Sequence, residues 1–207
     1  MTIELADGVS YCLLGETAMF LDLSRDRYSG VAARALHNGR AASALIRRGL
    51  LVGSGELGSS VRPTRCAAAT REAAAFRRAQ SGFLARLRAV LAMLSVSVTL
   101  RAFGLAATIR RFSPQRATKG MSPLDVGRYQ EVLSAFQWVD RLFDQNRACL
   151  TRSLALRHIL IAHGLCPTLV IGVKLYPFSA HAWLQDQELL VNDSMDRVQV
   201  YRPIAVL

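Results

Sequence analysis

The stretch Cys149-Leu150-Thr151-Arg152-Ser153-Leu154-Ala155-Leu156, followed by Leu169-Val170-Ile171-Gly172-Val173, Pro177-Phe178-Ser179-Ala180-His181-Ala182-Trp183 and Val191-Asn192-Asp193, decides how this chain folds. Its apolar residues change period from helical to strand-like, so it reads as a helix over 150–163 followed by strands over 168–175, 180–185 and 189–192. Asp144-Gln145-Asn146-Arg147 supplies cap-type residues before Cys149. The sulfur is therefore expected in the first turn, where free backbone N–H groups and the helix dipole favour an anion.

The strand residues complete a pattern. His181 shares its strand face with Trp183, while Ala182 points the other way. If 180–185 and 189–192 form a hairpin around Asp186-Gln187-Glu188, antiparallel pairing brings His181 opposite Asn192 and Asp193. A helix-start thiol, an imidazole and a carboxylate would then meet at one sheet edge, which is what a thiol nucleophile, its base and the base's orienting partner require. Taken singly, each residue has a plain structural explanation: a small buried cysteine, a satisfied core histidine, a strand-end aspartate. The combination is more informative. Asp196 is an alternative to Asp193, and Gln145 and Asn146 are candidate oxyanion donors by proximity. Cys12, Cys66, Cys166, His37, His158 and His163 read as structural or solvent-facing.

The rest of the chain divides by composition. Strands are expected over 11–14, 18–23 and 28–31, with Ser24-Arg25-Asp26-Arg27 as a turn, and short helices over 32–36 and 41–50. Gly53-Ser54-Gly55-Glu56-Leu57-Gly58-Ser59-Ser60 marks a linker. Helices are predicted over 70–80 and 82–103, then a loop over 104–120. Ser122 caps a further helix that has Pro123 in its first turn and runs to about residue 143. A last strand is expected within 198–206.

With 51% hydrophobic residues in 207, the chain has ample material for a core. Its four cysteines are widely spaced, which argues against a zinc site and a disulfide framework and for a reducing cytoplasm. No cofactor is implied. The first ten residues carry Glu4 and Asp7 and lack the basic start of a secretory signal. The uncharged run 89–100 is 12 residues long, short of the ~20 that span a bilayer, and reads as a buried core helix. Flanking arginines keep weak membrane-surface association open.

The net charge of +11 sits entirely in 61–128, where thirteen Lys/Arg face only Glu72 and Asp125. That block is either a solvated face or a docking surface for a partner. It lacks the interleaved aromatics of a nucleic-acid groove, so no nucleic acid is expected.

Cys149 with Ser153-Leu154-Ala155-Leu156, Gly164, Leu169-Val170-Ile171-Gly172-Val173, Pro177-Phe178, Ala180-His181-Ala182-Trp183 and Asn192-Asp193 resemble the leader peptidase, or B protein, of lasso-peptide biosynthesis, a branch of the transglutaminase-like cysteine hydrolases. The resemblance covers roughly the last sixty residues. It implies Cys149 as nucleophile, His181 as general base and Asp193 as its orienting acid. Phe20-Leu21-Asp22-Leu23-Ser24-Arg25-Asp26-Arg27-Tyr28 resembles, less specifically, the winged-helix-like leader-recognition domain of peptide-modifying enzymes. The implied fold is α+β: a winged-helix-like recognition domain over 1–55, a linker over 56–68 and a papain-like, transglutaminase-like peptidase over 69–207 with a helical segment and an antiparallel sheet.

In that family a leader adds along the last strand of the small sheet and packs against a following helix. These map to Arg27–Val31, with Arg27, Tyr28 and Ser29 as contacts, and to the helix Ala41–Arg48; Trp183 is expected as a further substrate contact. The implied partners are a lasso precursor and an ATP-dependent macrolactam cyclase. Two other functions remain open: an acyltransferase using the same three residues, and a non-enzymatic peptide- or nucleic-acid-binding adaptor.

Overall fold

A computed structural model describes residues 2–37, 39–73, 81–112, 123–140 and 148–207. The chain opens with β1 (Thr2–Leu5), β2 (Val9–Leu14), β3 (Thr17–Asp22) and β4 (Arg27–Ala32), then a 3₁₀ turn (Ala33–His37) and α1 (Gly39–Arg47). β2, β3 and β4 form an antiparallel meander. The turn between β3 and β4 is locked by Asp22, whose carboxylate accepts hydrogen bonds from Ser24 N–H and Oγ and from Arg25 N–H. One face of the meander packs Tyr11, Ala18 and Phe20 against α1 through Leu45.

The strand β1 lies outside the expected elements. It pairs antiparallel with β5 (Leu51–Val52) and parallel with β6 (Glu56–Leu57). The expected linker is therefore partly structured. Glu56 and Leu57 are in a strand, and Thr64 donates through N–H to Tyr11 O and through Oγ1 to Ile204 O. The residues that looked like a tether are short polar ones whose backbone groups find partners at both ends of the chain.

Of the helix expected over 70–80, Arg71–Glu72 is instead β7, while 74–80 lie outside the described residues. β7 pairs with β10 at a sheet edge, a long-range partnership that overrides local helical preference. α2 spans Phe83–Phe112 as two helical stretches that meet at Gly104, whose φ 75° and ψ −177° are non-helical, a conformation glycine adopts at little cost. The first stretch ends where the sequence predicts, 105–112 is helix where a loop was expected, and 113–122, including Ser122, lie outside the described residues.

α3 (Pro123–Val139) and α4 (Cys149–Ala162) follow, then β8 (Thr168–Lys174), β9 (Ser179–Asp186), β10 (Leu189–Leu190), α5 (Met195–Val198) and β11 (Arg202–Val206). The strand expected within 198–206 begins only at Arg202, because Met195–Val198 closes a helical turn first. The five strands align as β11-β8-β9-β10-β7.

α4 packs on one face of this sheet against β9 and β8, and α2 and α3 pack against α4. The main core includes Met93, Val96, Phe136, Leu154, Leu156, Leu169, Ile171 and Leu184. Cys12, Met19 and Leu21 of the meander belong to the same core. The N-terminal strands therefore share apolar packing with the C-terminal sheet.

The run 89–100 is buried on one face only. Ala89, Ala92, Met93 and Val96 are in the core, whereas Leu91, Leu94 and Val98 are exposed. The expectation of a buried core helix holds for one face only, that of Ala89, Ala92, Met93 and Val96.

Candidate active site

Cys149 is the first residue of α4, as the sequence pattern predicts, and its N-cap position is Ala148. The cap-type residues 144–147, with Gln145 and Asn146, lie outside the described residues. Arg152 N–H bonds to Ala148 O at 2.8 Å and closes the first turn of the helix.

His181 sits at the centre of the sheet on β9, opposite Gly172 of β8. Its Nε2 lies 2.5 Å from Asp193 Oδ2, and Asp193 Oδ1 accepts a hydrogen bond from Ser194 N–H. That leaves Nδ1 of the ring for the sulfur. The structure thus brings Cys149, His181 and Asp193 together. Asp196 is in α5 and does not take the place of Asp193.

The electrostatics follow from this arrangement. Burial pushes the Cys149 thiol up. Hydrogen bonds from His181 and from the amides of Ala182 and Leu150, with the positive charge of His181, outweigh burial and leave the thiol below its ordinary value. Burial alone would push His181 down. Its bonds to Asp193 and Cys149, and their charges, raise it to about 9. The two shifts describe one event, the formation of a thiolate–imidazolium pair stabilised by the carboxylate behind it. The peptide N–H of Leu150 is one of the donors that favour the thiolate.

Several residues not assigned a role in the sequence reading hold these groups in place. Asn192 Oδ1 accepts from Leu184 N–H at 2.7 Å, and its Nδ2 donates to Ser153 Oγ at 2.9 Å. Ser153 Oγ in turn donates to Ala182 O at 3.0 Å. Helix α4 is thereby tied to β9 between the cysteine and the histidine. Arg152 holds Asp140 through Nε and Nη2 and donates through Nη1 to Asn192 O, which joins the end of α3 to the turn that carries Asp193. Glu72 on β7 accepts from Met195 N–H just beyond that turn.

Tyr201 lies 5.1 Å from the His181 ring, centroid to centroid, and Trp183 stacks at 6.1 Å. Gly172 makes room for both: a Cβ there would come within 2.7 Å of the indole and 2.9 Å of Tyr201 Cβ. A glycine inside an apolar strand is a legible sign of close approach. Tyr201, twenty residues from the histidine, gives no such sign.

Trp183, expected to contact substrate, is only 3% exposed. Its indole N–H donates to Gln185, and its ring packs with Val170, Leu190 and Val198, because strand alternation turns it onto the sheet face away from the helices.

The other expected substrate residues are on β4. Arg27 and Ser29 line a polar cavity with Asp22, Arg25 and Arg48. Tyr28 points the opposite way and packs against the main core that Cys149 also borders. Its ring meets Phe178 edge-on at 5.4 Å, and burial, then the charges of Asp26 and Cys149, raise its phenol to about 12. All four cysteines are free.

The family model for the transglutaminase-like superfamily matches residues 90–206, and the chain belongs to that superfamily. The match begins inside α2 and spans the helix bearing Cys149 and the strands bearing His181. Membership supports an enzyme of the cysteine-protease or acyltransferase type. No curated protein and no solved structure matches the chain.

Proposed function

We propose that this protein is a cysteine endopeptidase that binds the leader of a ribosomally made lasso-peptide precursor and removes it before macrolactam formation. The observation that carries this reading is the placement of Tyr28: this residue of the meander's edge strand packs against the same core as Cys149 and feels its charge, so a peptide held on β4 is led towards Cys149. Residues 1–55 serve as the recognition unit in this reading and 69–207 as the peptidase. The resemblance of the last sixty residues to lasso leader peptidases points the same way.

Among the described residues β4 pairs with β3 alone, and its other edge offers backbone groups that an extended leader can use. Arg27 and Ser29 then meet alternate leader side chains on one face while Tyr28 contacts the segment that approaches the sulfur. Carrying recognition and hydrolysis on one chain raises the effective concentration of the scissile bond at Cys149.

The Cys149 thiolate attacks the scissile carbonyl carbon, forming a C–S bond as the carbonyl electron pair moves onto oxygen. The amide of Leu150 stabilises that oxyanion. Collapse expels the amine of the core peptide, which takes the proton from His181, and a thioester remains. His181, again neutral, deprotonates a water that attacks the thioester. Collapse releases the leader carboxylate and restores the thiolate–imidazolium pair. Asp193 holds the ring in the tautomer that this sequence needs. The released core passes to an ATP-dependent cyclase in the same reducing cytoplasm.

Incubating the protein with its precursor and weighing the products by mass spectrometry tests the reading. Two fragments, with cleavage at least ~10³-fold slower for Cys149→Ala, are expected. Cleavage by Cys149→Ala at the wild-type rate overturns the thiol mechanism, and a ligated product in place of two fragments makes the enzyme an acyltransferase.

A further inference from the structure

Helix α2 is apolar on two opposite sides. Ala89, Ala92, Met93 and Val96 face the core beside α3 and α4. At ~100° per residue, Phe83, Leu84, Leu87, Leu91, Leu94 and Val98 occupy an arc of about 100° on the far side. These six side chains are between 42% and 77% exposed. A helix on the surface of a water-soluble domain presents polar groups there, and a contiguous stripe of this size marks a contact surface.

The charge around the stripe narrows what covers it. No Asp or Glu occurs between Glu72 and Asp125, and α2 itself carries Arg86, Arg88, Arg101, Arg110 and Arg111. On the helical wheel Arg86 and Arg88 flank the stripe on either side, and Arg101 stands at its far end. A second copy would bring these arginines together across a two-fold axis. An anionic lipid surface satisfies both components: the apolar side chains enter the headgroup–acyl boundary while guanidinium groups reach the phosphates.

α2 is long and apolar enough to cross a bilayer by composition. Its opposite face is committed to α3 and α4, however, so the helix lies along a surface rather than through it.

We propose that the 83–98 face of α2 seats the protein on an anionic membrane. The surface is independent of the peptidase reading, because none of its residues belongs to the catalytic or leader-binding groups. The test is sedimentation of the full-length protein with vesicles of phosphatidylglycerol and phosphatidylcholine, compared with phosphatidylcholine alone.

The protein is expected to pellet with the acidic vesicles at low salt and to be released as salt rises. Leu87→Glu/Leu91→Glu/Leu94→Glu should reduce partitioning at least tenfold with an unchanged circular dichroism spectrum. If that variant does not fold, Arg86→Gln/Arg88→Gln carries the test, with a severalfold loss and a weaker salt dependence expected. Wild-type protein that stays in solution with acidic vesicles overturns the proposal. So does equal pelleting of wild type and variants. A dimer in sedimentation equilibrium that the triple substitution dissociates, without vesicle binding, assigns the face to a second copy instead.

Discussion

Two opposed demands meet at His181: burial disfavours its charged form, and the carboxylate and thiolate on either side favour it strongly enough to hold the proton up to about pH 9. The sign of the pH dependence follows. Cys149 ionises below its ordinary value and His181 loses its proton only near 9, so the reactive pair exists between those limits and disappears as pH rises through about 9. The alkylation rate of Cys149 by iodoacetamide at neutral pH should therefore exceed that of an ordinary cysteine. Asp193→Asn removes the neighbour that raises His181 most, so the alkaline limb of kcat/KM should move from about 9 towards neutrality. An unmoved limb in the Asp193→Asn profile would mean that the carboxylate does not govern the imidazole.

Strands and helices are held in register by contacts that no single element contains. Asn192 joins β9 to α4 through Leu184 N–H and Ser153 Oγ, both buried. Asn192→Ala leaves the Leu184 N–H without this acceptor and removes one of the two bonds at Ser153 Oγ, and should cost about 1–3 kcal/mol in chemical denaturation. Because Asp193 is the next residue, kcat should fall more than KM rises. Gly172→Ala tests the packing behind the imidazole. The new methyl group collides with the Trp183 and Tyr201 side chains, and a loss of about 1–3 kcal/mol is expected. A Gly172→Ala protein with wild-type stability and activity would show that both rings move aside freely.

The molecule is joined across its length by apolar packing rather than by a tether. Cys12, Met19 and Leu21 of the meander enter the core formed by the C-terminal helices and sheet, and Thr64 bridges Tyr11 to Ile204. Deleting residues 1–60 uncovers that core. At roughly 1.5–3 kcal/mol for each large apolar side chain, the shortened protein should lose on the order of 5 kcal/mol. Lower solubility and an earlier denaturant midpoint should accompany the loss. A shortened protein as stable as the full chain would make the meander an independent appendage. Arg152 is the polar counterpart of this packing: Arg152→Ala leaves the nearly buried Asp140 carboxylate without its partner and should cost about 3 kcal/mol.

Local order along the chain was legible wherever period and punctuation agreed. The meander, the start of α4 at Cys149 and the hairpin that carries His181 back towards Asp193 follow from alternation, turn residues and apolar helix spacing, which act over a few neighbours. The transglutaminase-like character of 90–206 was readable from motifs in that same region. Other features depend on partners far away in sequence. Arg71-Glu72 is a strand because β10 offers an edge, and Gly104 is a kink between two helical stretches, the second of which lies where a loop was expected. Trp183 is hidden by residues that arrive from three other elements, and Tyr201 reaches the imidazole only after β11 is in place. Hydrophobic period says that a side has to be covered, but not by what. The sequence by itself therefore determined the elements and their reactive groups, and the tertiary packing alone decided which backbone edges paired, which rings closed around His181 and which side of α2 stayed bare.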